Sequence, residues 1–181
     1  MDRASVEPWG EFRGSNVARL FRIPQSAFRH QIIPHSVRGE DGMKSHTHYL
    51  WFNTKKRQEI IDVTDDVARE LAKSGIREGF ALVSAMHITA SVFVNDHESG
   101  LWQDILKWLE DTVAPWDPER YRHNETGEDN AAAHLRSLTI GHEAIVPVTD
   151  GKLDLGPWQR VFYGEWDGQR KKRVIVKIIG E

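Results

Sequence analysis

Tight turns crowd the last forty residues and restrict what the chain can become. Ile145 to Val148 reads as a strand, Asp150-Gly151 as a two-residue turn, and Lys152 to Leu155 as the return. Trp158 to Glu165 reads as the next strand and Asp167-Gly168 as its turn. Lys172 to Ile179, with Val174, Val176 and Ile178 alternating, then closes the sheet. Strands joined by connections this short run antiparallel.

The preceding hundred residues carry the same signals mixed with helical ones. Thr47 to Thr54 predicts a strand with His48, Leu50 and Phe52 on one side and Tyr49 and Trp51 on the other. Gln58 to Val63 predicts a second. Thr64 can cap a helix whose Val67, Ala68 and Leu71 share a face and which stops at Gly75. Gly79 to Met86 and Ile88 to Val94 have strand length. Ser99 reads as the cap of a helix lined by Leu101, Ile105, Trp108, Leu109 and Thr112, ended by Pro115. A polar loop over 116–129 leads to a short helix with Ala131, Leu135 and Leu138 on one face and Gly141 as its stop. The expected fold class is α+β, a largely antiparallel sheet with a few helices packed on it.

With 181 residues the chain suits one domain with an appended segment. Residues 1–46 hold three prolines and no sustained period, and read as an N-terminal extension ordered at most in part. Residues 47–181 form the expected domain. A net charge of −3 argues against a protein that coats nucleic acid. No apolar stretch is long enough to span a membrane, and Met1 to Gly14 lacks the apolar core of a secretory signal, so the expected compartment is the cytoplasm. Cysteine is absent, which excludes disulfides, thiolate-held metals and thiol catalysis. Nine histidines leave an N/O metal site open.

None of the common nucleotide-binding, zincin or hydrolase signatures occurs. His87 lies between apolar strand runs and is either a satisfied core histidine or a site residue. His134 borders the apolar face of its helix and either packs under the sheet or faces a cleft. Asp104 is either a first-turn acid favoured by the helix dipole or a group at the rim of a site. Residues 121–130 concentrate charge in a loop, as either a solvated segment or a functional one. His46 and His48 share one face of a strand at the domain boundary, where a surface role is expected. Arg170-Lys171-Lys172-Arg173 is either a charged hairpin edge or a phosphate contact.

The order of short motifs resembles the YjbQ-like family, also described as secondary thiamine-phosphate synthase enzymes. The matching pieces include His87-Ile88-Thr89-Ala90, Val94-Asn95-Asp96, Tyr121-Arg122-His123-Asn124 and His134-Leu135. Asp150-Gly151-Lys152-Leu153, Gly156-Pro157-Trp158-Gln159 and Gly164-Glu165-Trp166-Asp167-Gly168 complete it. The chain departs from the family pattern at Ile88, Asp96 and Pro157, and residues 1–46 lie outside the resemblance. The resemblance implies a compact α+β subunit, usually a homotrimer, with polar clefts near subunit interfaces. It implies a site formed or bordered by His87, Asp104, His123, His134 and Glu165.

The activity it implies joins a hydroxymethylpyrimidine diphosphate to a thiazole phosphate. A divalent metal, zinc or magnesium, is expected to neutralise the leaving diphosphate, and by residue type His87, His123 and His134 are the candidates for metal or diphosphate contact. Asp104 would orient a ring and Glu165 would act as general base, with His87, Asp104 and Glu165 as the catalytic set. A small phosphorylated substrate is the expected partner, with no membrane and no nucleic acid. A metal-dependent hydrolase or phosphatase, or a non-catalytic trimeric ligand-binding protein, are the alternatives.

Overall fold

The computed structural model describes residues 42–181. The extension read over 1–46 therefore lies outside the described residues, apart from its last five. The first strand, β1 (Lys44–Phe52), begins inside that range. Alternate residues of β1 are exposed from Ser45 to Trp51, while His46, His48, Leu50 and Phe52 turn inward, as the sequence alternation predicts.

The remaining elements follow in order: β2 (Glu59–Asp62), α1 (Thr64–Ser74), β3 (Gly79–Ala85), β4 (Ala90–Asn95), α2 (Ser99–Trp108), α3 (Ala131–Ile140), β5 (Glu143–Thr149), β6 (Lys152–Leu153), β7 (Arg160–Glu165) and β8 (Lys172–Gly180). A π-helical turn, Leu109–Val113, extends α2, and a 3₁₀ segment, Arg122–Thr126, precedes α3. The fold is α+β with every strand pair antiparallel. The strands divide into two sheets, one ordered β1-β8-β3-β5-β6 and the other β2-β7-β4.

The two sheets and α1 enclose one core, containing Val67 and Leu71 of α1, Val83 of β3, Val161 and Tyr163 of β7 and Val176 of β8. The opposite face of β7 presents Phe162 to a second cluster with Ile60, Leu109, Ala133 and Trp166. β7 is thus buried on both faces, which explains why its run Val-Phe-Tyr lacks polar alternation.

Several expected details come out differently. Asp167-Gly168 does not fold β7 back onto β8; those strands lie in different sheets, and the chain crosses between layers there. The chain crosses again between β3 and β4, so β4 starts at Ala90 and His87, Ile88 and Thr89 occupy the connection. In α1 Glu70 is buried while Ala68 is exposed. Glu98, not Ser99, caps α2, its carboxylate accepting from the Gly100 and Leu101 amides. In α3 the expected face holds only at Ala131: Leu135 and Leu138 are exposed, Leu138 at 75%, while Ala132, Ala133, Arg136 and Ser137 are buried with Ala131. Small side chains let the helix approach the sheet closely enough for Ser137 Oγ to donate to the Ala90 carbonyl at 2.8 Å. No helix among the described residues is long and apolar enough to cross a membrane.

Candidate functional site

The two crossings lie side by side. The Trp166 amide donates to the Thr89 carbonyl at 3.2 Å, and the Met86 amide to the Arg173 carbonyl at 3.0 Å. One crossing brings His87 and Thr89, the other Asp167 and Arg170, and Lys172 opens β8 between them. The 3₁₀ segment is tied to the start of α3, where Asn124 Oδ1 accepts from the Ala131 amide at 3.1 Å. That tie brings His123 beside His134, their rings 4.8 Å apart and edge-on at 67°. The result is a cavity of about 240 Å³ lined by His87, Thr89, His123, Asn130, His134 and Arg170, among others.

Behind this cavity stands a charged network with almost no access to water. Lys172 and Glu165 form an ion pair with both side chains fully buried. The Tyr163 hydroxyl donates to Glu165 Oε2 at 2.6 Å, and the Asp167 amide to Oε1 at 3.0 Å. Lys172 Nζ also reaches Thr89 Oγ1 at 2.7 Å and the Asp167 carbonyl at 2.9 Å. Thr89 Oγ1 in turn lies 2.9 Å from His87 Nδ1. A second branch runs from Asp167 Oδ2 to Asn130 Nδ2 at 3.1 Å, and from Asn130 Oδ1 to His123 Nε2 at 3.2 Å. Every buried charge here is paired and hydrogen-bonded, as burial requires.

The electrostatics follow from that burial. Desolvation pulls the Lys172 ammonium below its ordinary range, against the Glu165 carboxylate that holds it charged. Burial pushes the Tyr163 phenol far up, and its hydrogen bond to the Glu165 carboxylate and that group's negative charge add to this. Burial lowers His87, with the Lys172 charge adding to the effect and Glu165 and Asp167 opposing it. Burial also lowers His134, and neighbouring His123 acts in the same direction. His87 and His134 are therefore neutral at neutral pH.

Three of the expected residues, His87, His123 and His134, share the cavity. Two do not. Glu165 is fully buried behind Lys172 and does not line the cavity, so it anchors the network. Asp104 is exposed on α2 and does not line it either. Among the described residues no three His, Asp or Glu side chains stand close enough to hold an ion. The three imidazoles thus share a cavity without forming a metal centre as they stand, and two of them already spend a nitrogen on the network.

The basic run divides. Arg170 lines the cavity and reaches Asp167 Oδ2 at 3.5 Å and Glu128 Oε2 at 3.7 Å. Lys172 is buried, while Lys171 lies over the Trp51 ring at 4.5 Å. Thr89 and Asn130 received no individual role from the sequence, Asp167 was read only as part of a turn, and Lys172 only as part of a basic run. The signal for them was the pairing of short polar motifs around His87 and Glu165.

Residues 48–181 match the family model described as "UPF0047 protein YjbQ-like". A UPF0047 protein of Methanothermobacter thermautotrophicus is 42% identical over 139 residues, covering 77% of this chain and 95% of the relative. The UPF0047 protein YugU of Bacillus subtilis is 38% identical over 132 residues, covering 72% and 97%. The crystal structure of a YbjQ-like protein of unknown function from Sulfolobus solfataricus superposes with a TM-score of 0.72 at 37% identity, covering 77% of this chain and all of that one. A hypothetical protein from Aeropyrum pernix gives 0.70 at 34% identity, covering 75% and 99%. The motifs, the two-sheet fold and these matches agree: the chain belongs to the YjbQ-like UPF0047 family.

Proposed function

We propose that this chain is an enzyme acting on a small phosphorylated compound, and that its reaction is of the thiamine-phosphate synthase kind. The observation that supports this reading is the convergence of His87, His123, His134 and Arg170 on one polar cavity. Hydrogen-bond donors and a guanidinium gathered at one spot are what a phosphoryl group requires. In the coupling reaction the carbon–oxygen bond between the pyrimidine methylene and the diphosphate breaks. The diphosphate leaves with the electron pair, and the thiazole nitrogen forms the new carbon–nitrogen bond. Arg170 and the imidazoles would bind the leaving diphosphate. A divalent ion, zinc or magnesium, would neutralise part of the charge on the leaving diphosphate.

A cavity of about 240 Å³ is smaller than the several hundred cubic ångströms usual for a whole small-molecule ligand. It suits a phosphate-bearing end, with the rest of the substrate outside it. That size favours a second reading, hydrolysis of a single phosphate ester, in which a neutral imidazole accepts a proton from water. The outer face of the five-stranded sheet, carrying exposed Tyr49, Trp51, Phe80 and Ile145, supports association of the subunit with further copies; the number three comes from the family resemblance.

The test is thiamine phosphate formation by wild type and His87→Ala, each with and without added zinc or magnesium. Product that depends on His87 supports the synthase reading. No product from wild type, together with phosphate released from a panel of small phosphate esters, replaces it with the hydrolase reading. Tight diphosphate binding without turnover of any substrate would leave a binding protein.

A further inference from the structure

Hydrogen-bond directions around Lys172 and Asp167 determine how two of the histidines meet a ligand. Lys172 has three N–H groups and three acceptors: Glu165 Oε1, the Asp167 carbonyl and Thr89 Oγ1. The carbonyl can only accept, and Glu165 already accepts from the Tyr163 hydroxyl and the Asp167 amide. Lys172 therefore donates to Thr89 Oγ1, and the Thr89 hydroxyl hydrogen points elsewhere. Its other neighbour is His87 Nδ1 at 2.9 Å, where the Thr89 amide is also directed at 3.3 Å. Two donors aimed at Nδ1 make it the lone-pair nitrogen, so the neutral ring carries its proton on Nε2.

His123 is anchored from its other side. Asn130 Nδ2 donates to Asp167 Oδ2, which orients the amide and turns Oδ1 toward His123 Nε2. An amide oxygen only accepts, so His123 Nε2 carries the proton. Its Nδ1 keeps a lone pair and has no hydrogen-bond partner among the described residues.

We infer that the network holds both rings in one tautomer but turned opposite ways: His87 offers Nε2–H as a donor to a ligand oxygen, and His123 offers Nδ1 as a proton acceptor. Thr89, Lys172 and Asn130 are the positioning residues. The matching ligand group has an anionic oxygen beside a hydroxyl, and a monoprotonated phosphoryl group has both. That choice of ligand rests on the proposed function; the orientation of the rings does not. His87 held this way has no lone pair to give a metal ion, which sets it apart from the metal ligand set expected from residue type.

Long-range ¹H–¹⁵N correlation spectra of the labelled full-length protein, free of ligand, identify the protonated nitrogen of each imidazole. The expected result is Nε2–H for both rings, with the His87 Nδ1 resonance displaced by the hydrogen bonds it accepts. Thr89→Val should relieve that displacement and Thr89→Ser should restore it. A proton on Nδ1 of either ring in wild type overturns the inference. So does a His87 Nδ1 resonance that Thr89→Val leaves unmoved. If the valine variant does not fold, the wild-type spectrum decides. Inorganic phosphate is then titrated in. Movement of His87 Nε2–H and His123 Nδ1 supports the phosphoryl ligand. Silence at both overturns that ligand class and the proposed function, separately from the ring orientations.

Discussion

Lys172, 2% exposed, sits between Glu165, Thr89 and the Asp167 carbonyl, and removing its charge would leave the Glu165 carboxylate buried without a counter-ion. Breaking one partner of such a pair costs about 3–5 kcal/mol, whereas replacing both costs far less. Lys172→Met should therefore lower the urea unfolding free energy by about that amount, and adding Glu165→Gln should recover a large part of it. Equal destabilisation in the single and double variants would show that the pair does not act as a unit. Asp62 is a second such residue. Burial raises its carboxyl, but Arg160, Thr64 and His97 outweigh this and hold it at about 2, below its ordinary 3.8. A depressed carboxyl stabilises the fold above pH 3.8, and that contribution is lost as pH falls from there toward 2. Arg160 and His97 are partly exposed, so the contribution is about 1–2 kcal/mol after screening. Asp62→Asn should lose that increment at about pH 5 and only a small fraction of it at about pH 2; the same loss at both pH values would refute the assignment. At this scale the resemblance named His87, His123 and His134 as residues that form or border a site; that they line one cavity is visible only in the structure. Lys172 could not be read the same way, because its partner Thr89 lies 83 positions away and a four-residue basic run resembles a solvated edge.

Strand positions were legible because period-two alternation survives wherever one face is wet, as along β1 and β8. Their pairing was not. A turn signal says that the chain reverses; it does not say which sheet the next strand joins, and Asp167-Gly168 moves the chain between layers. Helix faces failed where packing distance outranked hydrophobicity, as in α3, whose alanines and Ser137 lie against the sheet while Leu138 faces water. The same closeness governs β7. A Cβ added at Gly164 would fall 2.3 Å from the Trp166 ring, which is fully buried and donates from Nε1 to Ser91 Oγ at 2.8 Å. The ring has nowhere to move, so Gly164→Ala should destabilise by about 1–3 kcal/mol. Near-ultraviolet circular dichroism, which reports tryptophan packing, should change with it. A Gly164→Ala protein of wild-type stability would mean that the layers yield more readily than their packing implies.

Among the described residues the layers leave one large surface uncovered. The inner face of the five-stranded sheet packs on the second sheet and α1, while its outer face carries Phe80 of β3 and Ile145 of β5 at 39% and 65% exposure. On the same face, Arg173 of β8 lies over Tyr49 of β1 at 5.1 Å and over Trp51 at 5.7 Å, so the guanidinium holds the aromatic rings in place. Contiguous apolar patches on sheet faces mark association surfaces more often than free ones. The crossings that build the histidine cavity are also continuous with this sheet through Arg173, whose carbonyl accepts from the Met86 amide one residue before His87. A subunit packed on the face would brace the connection that carries His87. If the assembly is the trimer that the resemblance implies, sedimentation equilibrium of the full chain should give three times the monomer mass, and Ile145→Glu should reduce it to one while leaving the circular dichroism of the strands intact. If trimerisation braces the crossing, the same variant should weaken inorganic phosphate binding at the cavity without altering any residue that lines it. A wild-type chain that sediments as a monomer would remove the assembly. A monomeric Ile145→Glu protein that binds phosphate at wild-type affinity would separate the assembly from the site.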